Sequence, residues 1–390
     1  MPARSDRGAD EARYDDCRRR PTPLARSLAE DIRRGGPIPV RDFVTRCLHD
    51  PDHGYYRARA AIGRRGDFIT APEISQIFGE LIGLWAASVW LAQGATSGLD
   101  LVELGPGRGT MMADMLRAMR VVPGLGTAAR IHLIEPSPHL TGLQRKTLAA
   151  ADAPITWHPS LDALLAAEPS AGRGLRPMIV VANEVLDTMC PEQLVRTPDG
   201  WAMRGVGLDT TGSLAFTTSP LDPAGRAIDA FELDQLHPDA VPGDIVERAR
   251  LDLDALLALE SATHLLIDYG HTAPAVGDTL QAVREHGFEH PLTSPGEADL
   301  STSVDFSALV RRVAREPRLM LHGPITQAEL LGRLGIVERA SRLMAANPAE
   351  AAGLEAGVAR LLAPLGMGGR FHAVAITLRG APTPPAFNGA

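Results

Sequence analysis

The chain has 390 residues, 45% of them hydrophobic and 22% charged, proportions typical of globular proteins. They exclude wholesale disorder, a collagen-like repeat and a disulfide miniprotein, and at roughly 150 residues per domain the length predicts two or three domains or one elaborated unit. With 39 Lys and Arg against 47 Asp and Glu the formal net charge is -8, which does not supply the basic surface of a dedicated nucleic-acid binder.

The first twenty residues mix Arg4, Arg7, Arg13 and Arg18 to Arg20 with Asp6, Asp10, Glu11, Asp15 and Asp16. Transit peptides are poor in acids, so 1–20 reads as a disordered tail. Leu24 to Arg33 is amphipathic and helical, and Pro37-Ile38-Pro39 turns into a second helix over Val40 to Leu48. Ile74, Ile77, Phe78, Leu81, Ile82, Leu84, Trp85 and Val89 then recur at steps of three and four, predicting a long helix with a wide buried face that ends near Gly94.

Beyond this, short apolar runs alternate with helical stretches: Leu99 to Leu104, Ile131 to Ile134, Met178 to Ala182 and His264 to Ile267. That rhythm predicts a parallel sheet with crossover helices. Residues 190–262 fit the repeat less well and read as an inserted meander plus helix, with weak strands at Trp201 to Leu208 and Leu214 to Thr218. Arg370 to Leu378 closes the pattern as a strand able to pair antiparallel at the sheet edge. The expected organisation is an α/β protein with a helical N-terminal cap or lid over 21–98 and a core split between 99–189 and 263–380. The insertion, 190–262, falls on the acceptor side, and 381–390 reads as a tail.

Cys17, Cys47 and Cys190 lie far apart with no closely spaced histidine, so neither a metal site nor a disulfide framework is expected. No window approaches the roughly 18 apolar residues of a spanning helix, and no secretory signal is legible. The expectation is no membrane insertion and a cytoplasmic location.

The strongest local motif is Leu101-Val102-Glu103-Leu104-Gly105-Pro106-Gly107-Arg108-Gly109-Thr110, followed by an amphipathic helix. A buried strand that turns through glycines into a helix lets a ligand approach bare backbone and unpaired N–H groups. In a dinucleotide site the spacing is G-x-G-x-x-G and the last glycine lies beside a pyrophosphate; here Thr110 occupies that position and Glu103 places an acid at the loop. Both features disfavour NAD or FAD and suit a ligand with a cationic amine or sulfonium. The next strand ends in Glu135, placed to accept from two ribose hydroxyls. Glu103, Gly105, Pro106, Gly107, Gly109, Thr110 and Glu135 together describe a site for S-adenosyl-L-methionine, with S-adenosyl-L-homocysteine as product. Ser160 and Asp162 follow the next strand candidate and suit either an adenine contact or an N-cap.

Ligands of open parallel sheets sit outside the carboxyl ends of the strands. Asn183 and Glu184, followed by Asp187, occupy that place after the fourth strand, and Asp268 and His271 after the fifth. These are the candidate catalytic residues on the acceptor side. Asn183 and Glu184 also suit a helix start, and His271 also suits a turn.

The segment Gly63-Arg64-Arg65-Gly66-Asp67-Phe68-Ile69-Thr70-Ala71-Pro72-Glu73-Ile74-Ser75-Gln76-Ile77-Phe78-Gly79-Glu80, running into Val102 to Thr110, resembles the MidA family of S-adenosylmethionine-dependent methyltransferases, the family of mitochondrial complex I assembly factor 7. Further matches are His53 to Tyr56, Asn183 to Asp187, Asp268 to His271, Pro295 to Leu300 with Val304 to Phe306, Gly323 to Gln327 and Met367 to Phe371, so the resemblance spans roughly 21–380. It implies a class I methyltransferase fold, Rossmann-like, with a helical N-terminal cap in which Asp67, Thr70, Pro72 and Glu73 close over the cofactor. It also implies symmetric dimethylation of a protein arginine on a respiratory complex I or NADH dehydrogenase subunit during assembly, and a mitochondrial matrix location for a eukaryotic chain. After Asp187 the family usually reads Ala-Leu-Pro, whereas this chain has Thr188-Met189-Cys190-Pro191; the change falls on the acceptor side and spares the cofactor loop.

Arginine is effectively always protonated, so carboxylates must localise its charge before one nitrogen can attack. Glu184 is the first candidate for that clamp, with Asp187 and Asp268 behind it. The alternatives are a cofactor-binding assembly factor without essential catalysis and a methyltransferase acting on a small molecule or lipid.

Overall fold

Leu99–Leu104 (β1) is buried along its whole length, Asp100 and Glu103 included, as expected of a strand covered on both faces. It lies in one sheet with Ala129–Ile134 (β2), Ile155–His158 (β3), Met178–Asn183 (β4), Ala262–His271 (β5), Leu319–Thr326 (β6) and Phe371–Leu378 (β7). The order is β3-β2-β1-β4-β5-β7-β6. The first five strands are parallel to their neighbours, and β7 is antiparallel to both β5 and β6. β7 therefore lies one strand in from the edge, and β6, which carries Pro324, is outermost, where a missing N–H can be tolerated. The strand order reverses between β1 and β4, which opens a crevice at their carboxyl ends. This computed structural model describes residues 20–58, 69–94, 98–167, 176–189, 192–221, 230–248, 259 and 261–388.

The long helix Gln76–Ala92 packs on one face of the sheet, burying Ile77, Phe78 and Trp85 with Leu101, Ile131 and Ile179. It belongs to the sheet's own core and not to the N-terminal cap in which the sequence reading included it. The reason is its near-continuous apolar surface and two glycines: a Cβ on Gly83 would lie 2.6 Å from the Met115 backbone, so the helix approaches Thr110–Met119 closely. Phe306, Leu309, Val313 and Leu164 cover the opposite face.

The two N-terminal helices, Pro23–Gly35 and Val40–His49, form a different unit. Their buried side chains, among them Leu28, Phe43 and Leu48, share a core with Val206, Leu214, Leu280 and Leu300. Within the inserted stretch, Glu192–Thr197, Gly200–Leu208, Leu214–Pro220 and Ile245–Arg248 form an antiparallel sheet, and Ile38–Pro39 pairs with Gly205–Val206. Cap and insertion are thus one subdomain, joined through a strand pairing distant in sequence.

The stretch from 381, read as a tail, is packed as far as it is described. Phe387 is buried in the sheet core, Trp85 Nε1 donates to the Pro385 carbonyl at 3.1 Å, and Arg333 Nη1 to that of Ala386 at 2.7 Å. Among the described residues no helix is long and apolar enough to cross a membrane, and no cluster of His, Cys, Asp and Glu could hold a metal ion.

Candidate active site

The loop after β1 runs through Gly105, Gly107 and Gly109 with φ of 58°, 54° and 80°, a region that residues with a Cβ enter only at a cost. Gly105 is doubly constrained, because a Cβ there would lie 2.6 Å from Val185 Cγ2. The Gly109 N–H donates to the Pro106 carbonyl at 2.7 Å, closing the turn into Thr110–Met119. Below the loop, Glu103 is 1% exposed and its Oε2 is buried without a partner. Burial pushes its carboxyl up to about 8. A buried acceptor without a donor is costly, and a cationic group in the adjoining cavity would satisfy it.

Two cavities meet at this loop. The larger, of about 460 Å³, has the Gly105 and Gly107 side on one wall, Glu135, Leu140, Ser160 and Asp162 on a second, and Arg41, Thr45, His49 and Tyr56 of the N-terminal unit on a third. The smaller, of about 50 Å³, is lined by Thr70, Pro72, Glu73, Glu103, Arg108, Thr110 and Asn183, among others. Gly105, Gly107 and Glu184 line both.

At the end of β2, Glu135 Oε1 accepts the Ser137 N–H at 2.8 Å and Oε2 accepts from Gln144 Nε2 at 3.1 Å. Burial pushes this carboxyl up to about 7, against the pull of those two donors. Gln144 also donates to the Gly107 carbonyl at 2.8 Å, and its Oε1 accepts from Trp157 Nε1 at 3.0 Å. Ser160 caps the following helix, its Oγ accepting the Ala163 N–H at 3.1 Å, and it lines the cavity as well.

The segment from Thr70 to Glu73 crosses the mouth of the loop. Thr110 Oγ1 donates to Glu73 Oε1 at 2.5 Å, and the Ala71 N–H donates to Glu184 Oε1 at 2.7 Å. Asp67, expected in the same lid, lies outside the described residues.

Asn183 and Glu184 end β4. Glu184 has φ 52°, an uncommon conformation for a non-glycine residue and one that clusters at functional sites. Its Oε1 also accepts from Asn183 Nδ2 at 3.1 Å, so one carboxylate oxygen is held by two donors while the residue faces both cavities. Burial pushes its carboxyl up to about 7. Asn183 Oδ1 is buried without a partner.

Asp187, Asp268 and His271 are not among the residues lining either cavity. Asp268 is fully buried; Oδ2 accepts the N–H groups of Leu186 and Asp187 at 2.8 and 3.1 Å, and Oδ1 that of Tyr269 at 2.8 Å. It is a strut that fixes the turn after Glu184. Asp187 Oδ1 is buried without a partner, and burial raises its carboxyl. His271 Nδ1 pairs with the Ala273 carbonyl at 2.7 Å, the geometry of a turn residue.

Sequence reasoning missed Gln144 and the wall from the N-terminal unit. Gln144 had a legible signal: it stands four residues from both Leu140 and Leu148, all three buried, so a polar side chain occupies a core position of its helix. Tyr56 lies in the His53 to Tyr56 family match, but its place at the cavity follows from contacts made only in the fold, its hydroxyl with Asp299 (3.1 Å) and its carbonyl with Ser137 Oγ (2.9 Å).

Residues 81–325 match the Methyltransf_28 family, described as S-adenosyl-L-methionine-dependent methyltransferases. The chain belongs to this MidA-like family. It is 34% identical over 377 residues to the mitochondrial protein arginine methyltransferase NDUFAF7 of Rattus norvegicus, covering 91% of this chain and 84% of the relative. The human protein of that name is likewise 34% identical, with 91% and 83% covered. A COG1565 superfamily member from Burkholderia thailandensis, solved bound to S-adenosyl-homocysteine, superposes with a TM-score of 0.80 at 26% identity, covering 95% of this chain and 98% of the other. The protein is a class I S-adenosyl-L-methionine-dependent methyltransferase. Its residues fit that cofactor: Glu103 leaves a buried oxygen for a cation, and the larger cavity runs between the glycine loop and Glu135.

Proposed function

We propose that this methyltransferase modifies a protein arginine, forming symmetric dimethylarginine on a subunit of an NADH dehydrogenase or respiratory complex I during its assembly. The observation that carries the reading is Glu184. It stands where the two cavities meet, with Oε1 held by Ala71 and Asn183. The relatives that are 34% identical over most of both chains are named protein arginine methyltransferases.

S-adenosylmethionine supplies an electrophilic methyl group on a sulfonium and leaves as S-adenosylhomocysteine. The chain's residues align and stabilise, since an in-line displacement needs no covalent intermediate. The glycine loop, with Pro106 and Thr110, receives the amino-acid end, Glu103 takes its ammonium group, and Glu135 accepts from the ribose hydroxyls. Thr70, Pro72 and Glu73 close over that end. Glu184 accepts hydrogen bonds from the acceptor guanidinium, drawing its charge away from the attacking nitrogen. Its carboxyl, near 7, suits it to take the proton that nitrogen sheds. Asn183 holds Glu184 from the side, and Asp268 with Asp187 fixes the turn beneath it.

The test is transfer of label from methyl-labelled S-adenosylmethionine into an extract of cells lacking the protein, followed by acid hydrolysis and amino-acid analysis. Label in dimethylarginine on one respiratory-chain polypeptide is expected. Label confined to lipid or small molecules would replace the protein acceptor with another.

A further inference from the structure

The segment that reaches Glu184 is braced from outside the site. Ala71–Ile74 is a single helical turn, too short to be stable by its own hydrogen bonds. Its Ala71 N–H donates to Glu184 Oε1 at 2.7 Å, and its other end runs into Ser75, whose Oγ accepts the Ile77 N–H at 3.3 Å and starts the long helix. The helix Ala351–Leu362 lies against this turn. It is fixed to the core by Leu361, whose side chain is buried there and whose carbonyl accepts from Gln327 Nε2 at 2.9 Å. It meets the turn at the buried Gly357, where a Cβ would lie 3.3 Å from the Ile74 carbonyl oxygen and 3.5 Å from Ser75 Cβ. Glycine is unfavourable inside a helix, so the close approach to Ile74 is what this position gains from it. Gly353, one turn earlier on the same helix, has nothing within 4 Å of its Cβ position.

We propose that Gly357 is a positioning residue for methyl transfer: it lets the helix Ala351–Leu362 sit flush against Ile74, which keeps the Ala71 N–H on Glu184 and so aims that carboxylate at the acceptor. The proposal rests on the reading that Glu184 serves transfer, and it gives a helix from the far end of the chain a part in that step. A methyl group on Gly357 makes the turn give way by a few tenths of an ångström, and the Ala71 N–H moves with it. Losing that donor also changes the charge of Glu184. Ala71, Asn183 and the Arg360 guanidinium pull its carboxyl down, while burial and Asp187 push it up; Asp268, itself raised by the Glu184 charge, stands on the same side.

The experiment compares Gly357→Ala with Gly353→Ala in the full-length protein. Both exchange a helix glycine for alanine, so neither should lower the melting temperature. Three quantities are read: calorimetric affinity for S-adenosylhomocysteine, the rate of label transfer from methyl-labelled S-adenosylmethionine into an extract of cells lacking the protein, and the dependence of that rate on pH. In Gly357→Ala the affinity should stay within about threefold while the transfer rate falls by about fivefold or more, as a small misplacement of a reacting group can cost. Its rising limb should also move to higher pH, because Glu184 without the Ala71 donor ionises later. Gly353→Ala should match the unmodified protein in all three. Full transfer by Gly357→Ala, an equal loss in Gly353→Ala, a loss of affinity in step with transfer, or a slower rate with an unmoved pH limb would each overturn the proposal. Undiminished transfer by Glu184→Gln would instead overturn the reading beneath it.

Discussion

Gln144 donates its side-chain amide to Glu135 Oε2 at 3.1 Å while the same nitrogen reaches the Gly107 carbonyl at 2.8 Å. One fully buried side chain thereby ties the glycine loop to the carboxylate assigned to the ribose, and Trp157 ties it to β3. Gln144→Leu would leave those groups unpaired at about 1–3 kcal/mol for each buried group, so the melting temperature should drop and S-adenosylhomocysteine should bind about tenfold more weakly or worse. Loss of its donor should also raise the Glu135 carboxyl further above about 7. The pH at which affinity reaches its plateau should then move upward, a shift that calorimetry across pH 6–9 reads and that packing damage alone would not produce.

Glu103 predicts a pH dependence with a definite sign. Its carboxyl is raised from 4.5 to about 8 by burial, so between those values the folded protein holds a proton that the unfolded chain has released. Ligand-free stability from this group therefore falls as pH rises from about 4.5 to about 8. Binding of a cationic ammonium requires the carboxylate and favours it, so thermal stabilisation by S-adenosylhomocysteine should grow over the same window. Glu103→Gln should flatten that growth and weaken binding by about tenfold or more, one tenfold step being about 1.4 kcal/mol. A variant with the unmodified protein's pH profile would place the ammonium elsewhere.

The parts of this molecule that were legible in the sequence are those written by local chemistry. β4 is a continuous apolar run from Met178 to Ala182 because it is buried on both faces, and Gly105, Gly107 and Gly109 are glycines because each has a left-handed φ. Long-range pairing leaves weaker marks. Ile38–Pro39 joins the inserted sheet at Gly205–Val206, and nothing in a Pro-Ile-Pro turn announces a strand partner so far along the chain. β6 was hidden by Pro324 and by its half-exposed face. Asp268 shows the remaining gap: a carboxylate after a strand reads as a candidate for chemistry, and only the fold reveals that three backbone N–H groups occupy it.

Whether Glu184 serves transfer and not cofactor binding is read by two assays on Glu184→Gln: calorimetric affinity for S-adenosylhomocysteine, and label transfer into dimethylarginine in an extract of cells lacking the protein. Affinity should stay within about threefold of the unmodified protein, because the neutral amide can still accept from Ala71 and Asn183, while the transfer rate should fall by about 10²-fold or more. Equal loss of binding and transfer would make Glu184 a structural cap of the β4 turn, and undiminished transfer would remove it from the chemistry altogether.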